Sequence, residues 1–210
     1  QQGLYWRDRP ILFLLIRLVL ARTVQIVMYA EMLATLYEHY YHVPREHITI
    51  IRNPIPWVPT QVRELPGEPL TLFAGRFVLY KNLALVIRVF ARLHERLPQA
   101  RLMLVGDGPE RGRLSALINE LGLERSVSIR ALIPHEELQT LIERSALALA
   151  PALTEFNPNF GLEALAKGIP LLISRGNGLT VTVPKECEFD PLDGHELEER
   201  WTALLSNPAL

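Results

Sequence analysis

Apolar residues in this chain gather into short continuous runs, separated by stretches where they recur every three or four positions. Runs at 70–74, 102–105, 146–150 and 170–174 are built mostly of apolar residues, and a further one at 127–131 carries Ser128 and Arg130 among its apolar positions. Strands buried on both faces read this way. Between them the spacing predicts helices over 83–97, 110–121, 136–144 and 161–166. In the first of these, Val86, Ile87, Phe90, Leu93 and Leu97 fall on one face. Strands and helices alternating in this order predict an α/β fold, a Rossmann-like parallel sheet with helices on both faces. That domain is expected from residue 70 to about 205.

Upstream the pattern is shorter: a strand at 24–28, a helix at 30–41 and a strand at 48–51. This is one edge of a partial second α/β domain, too small to bury a core of its own. Between the two parts, Pro54, Pro56, Pro59, Pro66, Pro69 and Gly67 mark an extended, poorly helical stretch. The division expected is therefore 1–60, a linker at 61–69, and 70–210.

Composition narrows the partners. Of 210 residues, 49% are hydrophobic and 21% charged, which excludes a disordered chain. The net charge of −1 provides no basic field for nucleic acid, so any anionic ligand must be held by a few local cations. Cys187 stands alone, so no internal disulfide is available and a cytoplasmic setting is expected. The chain opens on Gln1 within an apparent helix and is expected to be a fragment or a processed product. The run 11–21 is interrupted by Arg17 and falls short of the ~20 residues that span a bilayer. With Arg7, Arg9 and Arg22 around it, the run would suit peripheral contact at the inner face of a membrane. Packing inside a domain is the preferred reading.

The candidate chemistry lies in the strand-to-helix loops, the edge at which open α/β sheets bind ligands. Glu155 sits on the loop beyond the 146–150 strand, and Glu163 in the first turn of the next helix. An ionised carboxylate accepts hydrogen bonds from sugar hydroxyls and offers no competing donor. Taken alone, such a pair also fits two surface acids at a helix start, where the macrodipole favours negative charge. In the first loop Gly75 allows a close turn, and Arg76 and Lys81 bracket it as a diphosphate clamp would. Taken alone, that pair is more often a solvated surface pair. The second loop, Gly106 to Arg111, begins like a dinucleotide fingerprint. It has Arg111 where the third glycine belongs and follows the second strand, which disfavours a nicotinamide or flavin role. The third loop, with Leu132, could flank a flat base or simply pack. No zinc-spaced Cys/His group, P-loop or nucleophile elbow occurs. A site with no cofactor and no metal is expected, with Arg and Lys in a magnesium ion's role.

The motifs are ordered: G-R-x4-K-N (75–82), L-V-G-D-G-P (104–109), V-x-I-x-A-x-I-x4-L (127–138), E-x7-E (155–163) and E-A-L-A-K-G-I-P (163–170). Together they resemble the C-terminal, donor-binding half of family 4 retaining glycosyltransferases, which have the GT-B fold. Residues 20–60 look like the tail of that family's N-terminal, acceptor-side domain.

The resemblance implies roles. Arg76 and Lys81 would hold the diphosphate and stabilise its developing charge. Glu155 would orient the donor sugar, and Glu163 would bind the ribose hydroxyls. Backbone N–H groups near Asn157, Asn159, Phe160 and Gly161 would face sugar and phosphate, with Gly75 and Leu132 around the nucleotide. The donor would be a nucleotide-diphosphate sugar, and the acceptor a sugar, a glycan or a lipid-linked hydroxyl. The chain departs from the family pattern at F-N-P-N (156–159), where x-F-G is commoner and Pro158 has no N–H, and at Ala131, where glycine is usual. With most of the acceptor-side domain absent, the fragment is not expected to turn over substrate alone. A nucleotide-sugar epimerase, a phosphorylase of similar architecture and a non-catalytic sugar-nucleotide module remain the alternatives.

Overall fold

The computed structural model of the chain describes residues 9–52, 67–179 and 182–206, so most of the proline-rich stretch lies outside the described residues. The chain divides into two compact units, Gln1–Pro54 and Ile55–Leu210.

In the first unit, helix α1 (Pro10–Leu20) leads to strand β1 (Ile26–Met28), helix α2 (Glu31–Tyr41) and strand β2 (Ile48–Ile50). Proline at the start of α1 costs nothing, because the first-turn N–H groups have no helical partner. β1 and β2 pair in parallel, with Ile26 opposite Ile48. Contrary to the expectation that this part is too small for a core of its own, Met28, Ala34, Tyr41, Val43 and Ile48 form a small one, which α1 completes by packing Phe13, Ile16 and Leu20 against it. The opposite side of α1 exposes Ile11, Leu14, Leu15, Leu18 and Val19. Among the described residues, no helix is long and apolar enough to cross a membrane.

The second unit alternates strand and helix: β3 (Leu70–Ala74), α3 (Leu83–Arg96), β4 (Arg101–Val105), α4 (Arg111–Glu120), β5 (Val127–Arg130), α5 (His135–Arg144), β6 (Leu147–Ala150), α6 (Asn159–Ala166), β7 (Leu171–Ser174), β8 (Glu188–Phe189) and α7 (Gly194–Ser206). Its six strands form one parallel sheet in the order β5-β4-β3-β6-β7-β8. The chain builds outward from β3 and then returns to start β6 on the other side of β3. Two apolar cores lie on the two faces. One holds Val86, Phe90, Leu114, Leu197 and Trp201 of α3, α4 and α7. The other holds Ile142 and Ala164 of α5 and α6. All four residues of β6 and all four of β7 are buried, as strands covered on both sides must be. The Trp201 indole donates to the buried Thr71 hydroxyl at 2.8 Å, which satisfies both polar groups inside the core.

The Rossmann-like α/β fold expected from the sequence is thus the one found. Two elements went unanticipated. β8 is two residues long and offers no periodicity to read, and α7 follows it with Asp193 accepting from the N–H groups of His195 and Glu196. Helix α6 also begins earlier than its apolar spacing suggests, at Asn159 rather than Gly161, because Pro158 precedes the first turn in an extended conformation.

Candidate functional site

The return of the chain between β3 and β6 separates the loops that leave those two strands, and a crevice opens there. It is a cavity of about 230 Å³, walled by Gly75 and Lys81 from the first loop and by Glu155, Asn157, Asn159 and Phe160 from the other.

The first loop runs from Gly75 to Asn82. It ends in a single 3-10 turn, Leu79–Lys81, and Asn82 adopts a left-handed conformation at the start of α3. That geometry is uncommon outside glycine and is tolerated best by Asn. The Asn82 amide is anchored by donating to the Pro191 carbonyl at 2.8 Å. Lys81 is thereby turned inward. Its ammonium ion-pairs with the Glu155 carboxylate, and the two side chains are only 12% and 21% exposed. Solvent screens such a pair less than it screens an exterior one. The two loops are also tied by their backbones, the Leu153 N–H donating to the Tyr80 carbonyl at 2.8 Å.

Behind Glu155 lies a bracing network that the sequence did not reveal. The Glu155 carbonyl accepts from the Gly178 N–H at 2.9 Å. A side chain at Gly178 would begin 1.8 Å from the Phe156 carbonyl oxygen, so only glycine permits this approach. The buried Ser174 hydroxyl faces the Ala150 carbonyl at 3.3 Å and the Ala152 carbonyl at 2.5 Å, and the Asn177 amide donates to Ser174 Oγ at 2.6 Å. The loop that carries Glu155 is therefore held from beneath by β7 and the turn after it.

The remaining expected residues are distributed unevenly. Gly161 lies buried in the first turn of α6 against Leu171 and Leu179. Asn157 keeps its amide nitrogen buried with no hydrogen-bond partner among the described residues, an arrangement that favours a ligand acceptor there. Arg76 is exposed and is not among the residues lining the cavity, and Leu132 projects from the loop after β5 at 80% exposure. Glu163, expected in the first turn of its helix, falls in the second because α6 begins at Asn159, and it also stands outside the lining. Its Oε2 accepts from Gln139 Nε2 of α5 at 2.8 Å. Nothing in the sequence marks Gln139, a polar residue on an amphipathic helix.

The G-D-G-P loop serves a different purpose from the one its opening suggests. The Gly75 N–H donates to the Val105 carbonyl at 3.0 Å, the Phe77 N–H to the Asp107 carbonyl at 2.8 Å, and the Glu110 N–H to the Phe77 carbonyl at 3.0 Å. Arg111 closes the turn by donating to the Gly106 carbonyl at 3.2 Å. Among the described residues no group of three or more His, Cys, Asp or Glu could hold a metal ion.

A profile of the family described as "Glycosyl transferases group 1" matches residues 59–209. A D-inositol 3-phosphate glycosyltransferase of Corynebacterium jeikeium is 33% identical over 142 residues, which cover 63% of this chain and 33% of that protein. The chain spans about a third of the length of the curated relatives it matches. A variant of S. aureus TarM, solved in complex with Fondaparinux, alpha-GlcNAc-glycerol and UDP, superposes with a TM-score of 0.78 at 14% identity, over 88% of this chain and 37% of that one. The sucrose-phosphate synthase of Thermosynechococcus elongatus also reaches 0.78, at 22% identity, over 94% of this chain and 53% of its own. At these identities the likeness is one of fold, the GT-B arrangement.

Proposed function

The chain belongs to the glycosyl transferases group 1 family, and on that premise we propose that it carries the donor site of a glycosyltransferase. The enzyme transfers a sugar from a nucleotide-diphosphate sugar to an acceptor hydroxyl, with retention of configuration at the anomeric carbon. The observation that carries this reading is the cavity at the chain reversal between β3 and β6, where the Lys81 cation and the Glu155 anion meet.

In the resting site each of these charges neutralises the other. A diphosphate entering the cavity gives Lys81 a second anionic partner and frees Glu155 to turn toward the donor sugar. Lys81, joined by the exposed Arg76, then bears the charge that collects on the diphosphate as the sugar–phosphate bond breaks. Glu155 orients the sugar and opposes positive charge at its anomeric carbon, Glu163 takes the ribose hydroxyls, and the first-turn N–H groups of α6 face sugar and phosphate. The cations do the work a metal ion does elsewhere, so no metal is needed. The UDP bound in the TarM structure supports a nucleotide donor by analogy of fold.

Calorimetry with UDP, GDP, ADP and their glucose and mannose conjugates, without added metal, tests this. One nucleotide should bind the folded chain, and Glu163→Ala should weaken it about tenfold, the worth of a charge-assisted hydrogen bond. Glu155→Ala should leave the free nucleotide's affinity largely intact and weaken its sugar conjugate. Equal affinity of Glu163→Ala and wild type for every nucleotide would sink the donor assignment.

A further inference from the structure

We propose that Gln139 is a positioning residue that makes the nucleotide site selective for ribose over deoxyribose. The inference rests on the assignment of Glu163 to the ribose hydroxyls.

Gln139 lies in the second turn of α5, and Glu163 lies in α6, its neighbour on the same face of the sheet. The Gln139 side-chain amide donates to Glu163 Oε2 at 2.8 Å, and both residues are partly buried. A glutamate on a helix has three side-chain torsions. Unheld, its carboxylate samples several rotamers and must give up that freedom whenever a ligand binds. The contact from α5 removes the freedom beforehand, which is the way preorganisation raises affinity.

The chemical identity of the holding group matters as much as its reach. A carboxylate has about four acceptor positions and no donor, so it can take the Gln139 N–H and still accept from two neighbouring hydroxyls. Its Oε1 makes no hydrogen bond among the described residues. Lysine or arginine at position 139 would neutralise the carboxylate and compete with the hydroxyls for it. Glutamate would repel it. The neutral amide donor fixes the carboxylate and leaves its charge available, as recognition of a vicinal diol requires. Removing the 2′-hydroxyl from the nucleotide takes away one of the groups that this fixed carboxylate receives. Discrimination between ribose and deoxyribose should therefore depend on Gln139, even though Gln139 itself touches no ligand.

The test is calorimetry on the full chain with UDP, GDP and ADP, each beside its 2′-deoxy counterpart. It compares wild type with Gln139→Ala, Gln139→Glu and Glu163→Ala, with thermal melting to verify folding. Wild type should prefer the ribonucleotide by about tenfold, and both Gln139 variants should lose most of that preference while the deoxynucleotide's affinity stays nearly constant. Gln139→Glu keeps the side chain's length but replaces the donor with a carboxylate that repels Glu163, while Gln139→Ala removes the donor together with the side chain's packing, so agreement between the two assigns the loss to the missing hydrogen bond rather than to packing. If Glu163→Ala abolishes the preference while folded Gln139 variants retain it, Gln139 has no positioning role and the ribose assignment stands. A loss of affinity shared equally by ribo- and deoxynucleotide in the Gln139 variants also overturns the proposal. If Glu163→Ala keeps the full preference, or no nucleotide binds wild type, the ribose assignment fails and the proposal falls with it.

Discussion

The loops after β3 and β4 leave neighbouring strands at the same edge of the sheet, and each opens on glycine and carries an arginine. The loop from Gly75 reaches the cavity: its last turn delivers Lys81 to Glu155. The loop from Gly106 does not contribute to the lining. It spends its glycines on contact with the first loop, since a side chain at Gly106 would begin 1.9 Å from the Gly75 carbonyl oxygen and one at Gly108 2.4 Å from that of Phe77. In sequence, the Gly106 loop is the closer of the two to a phosphate-binding motif. It is the brace, and the Gly75 loop is the arm it steadies. A glycine marks a place where something comes close, and the approaching group is as readily the protein's own backbone as a ligand.

The largest effect that would break this contrast is at Gly106, whose φ of +144° and contact with the Gly75 carbonyl leave no room for a methyl group. Gly106→Ala should lower unfolding free energy by about 3 kcal/mol, through backbone strain and displacement of both loops. Urea denaturation measures it, and a loss under about 1 kcal/mol would show that the loops part easily and that no brace exists.

A smaller effect sharpens the difference within the first loop. Lys81→Met removes the partner of a poorly exposed carboxylate and should cost about 1–2 kcal/mol, because Glu155 is left uncompensated. Arg76→Met, at an exposed position, should stay within about 0.5 kcal/mol. Equal losses in parallel denaturation curves would mean that Lys81 is no more committed to the fold than Arg76.

The smallest effect concerns Arg175, which follows β7 at this same edge but is turned away to α7. Its guanidinium donates two hydrogen bonds to Glu196, and that bonding, opposed by partial burial and helped by the Asp190 N–H, holds the Glu196 carboxyl below the usual carboxylate range. A depressed carboxyl stabilises the fold above its unfolded-state pKa, and the contribution fades as pH falls through the folded value. Because Arg175 is half exposed, the contribution should be under about 1 kcal/mol. Melting temperature between pH 7 and pH 3 should fall less for Glu196→Gln than for wild type, and identical profiles would remove the pair from the account.

Much of this was legible in the residues themselves. The central strands β6 and β7 are almost continuous apolar runs, because a strand covered on both faces leaves no position for water, whereas β5 at the sheet edge carries Ser128 and Arg130. The amphipathic spacing of α3 foretold its buried face. β8 was not legible: two residues carry no period, and they form a strand only because β7 presents an open edge to pair with. The onset of α6 at Asn159 depended on the conformation of Pro158 rather than on apolar spacing. In the site, Gly75, Lys81 and Glu155 were marked by type and position, and Asn157, Asn159 and Phe160 by the family resemblance, and the structure brings all six to one cavity. The Ser174–Asn177 network and Gln139 were not marked, because an isolated polar residue is the same letter in sequence whether it faces solvent or a carboxylate.

The sequence by itself determined the α/β alternation, the edge at which chemistry gathers and the residue types available there, since these follow from local periodicity and side-chain chemistry. Only the tertiary structure decided which charges meet. Lys81 and Glu155 are 74 positions apart along the chain, and Gln139 and Glu163 stand on separate helices. Such pairings are set by the order in which strands enter the sheet and by how closely one loop can approach another.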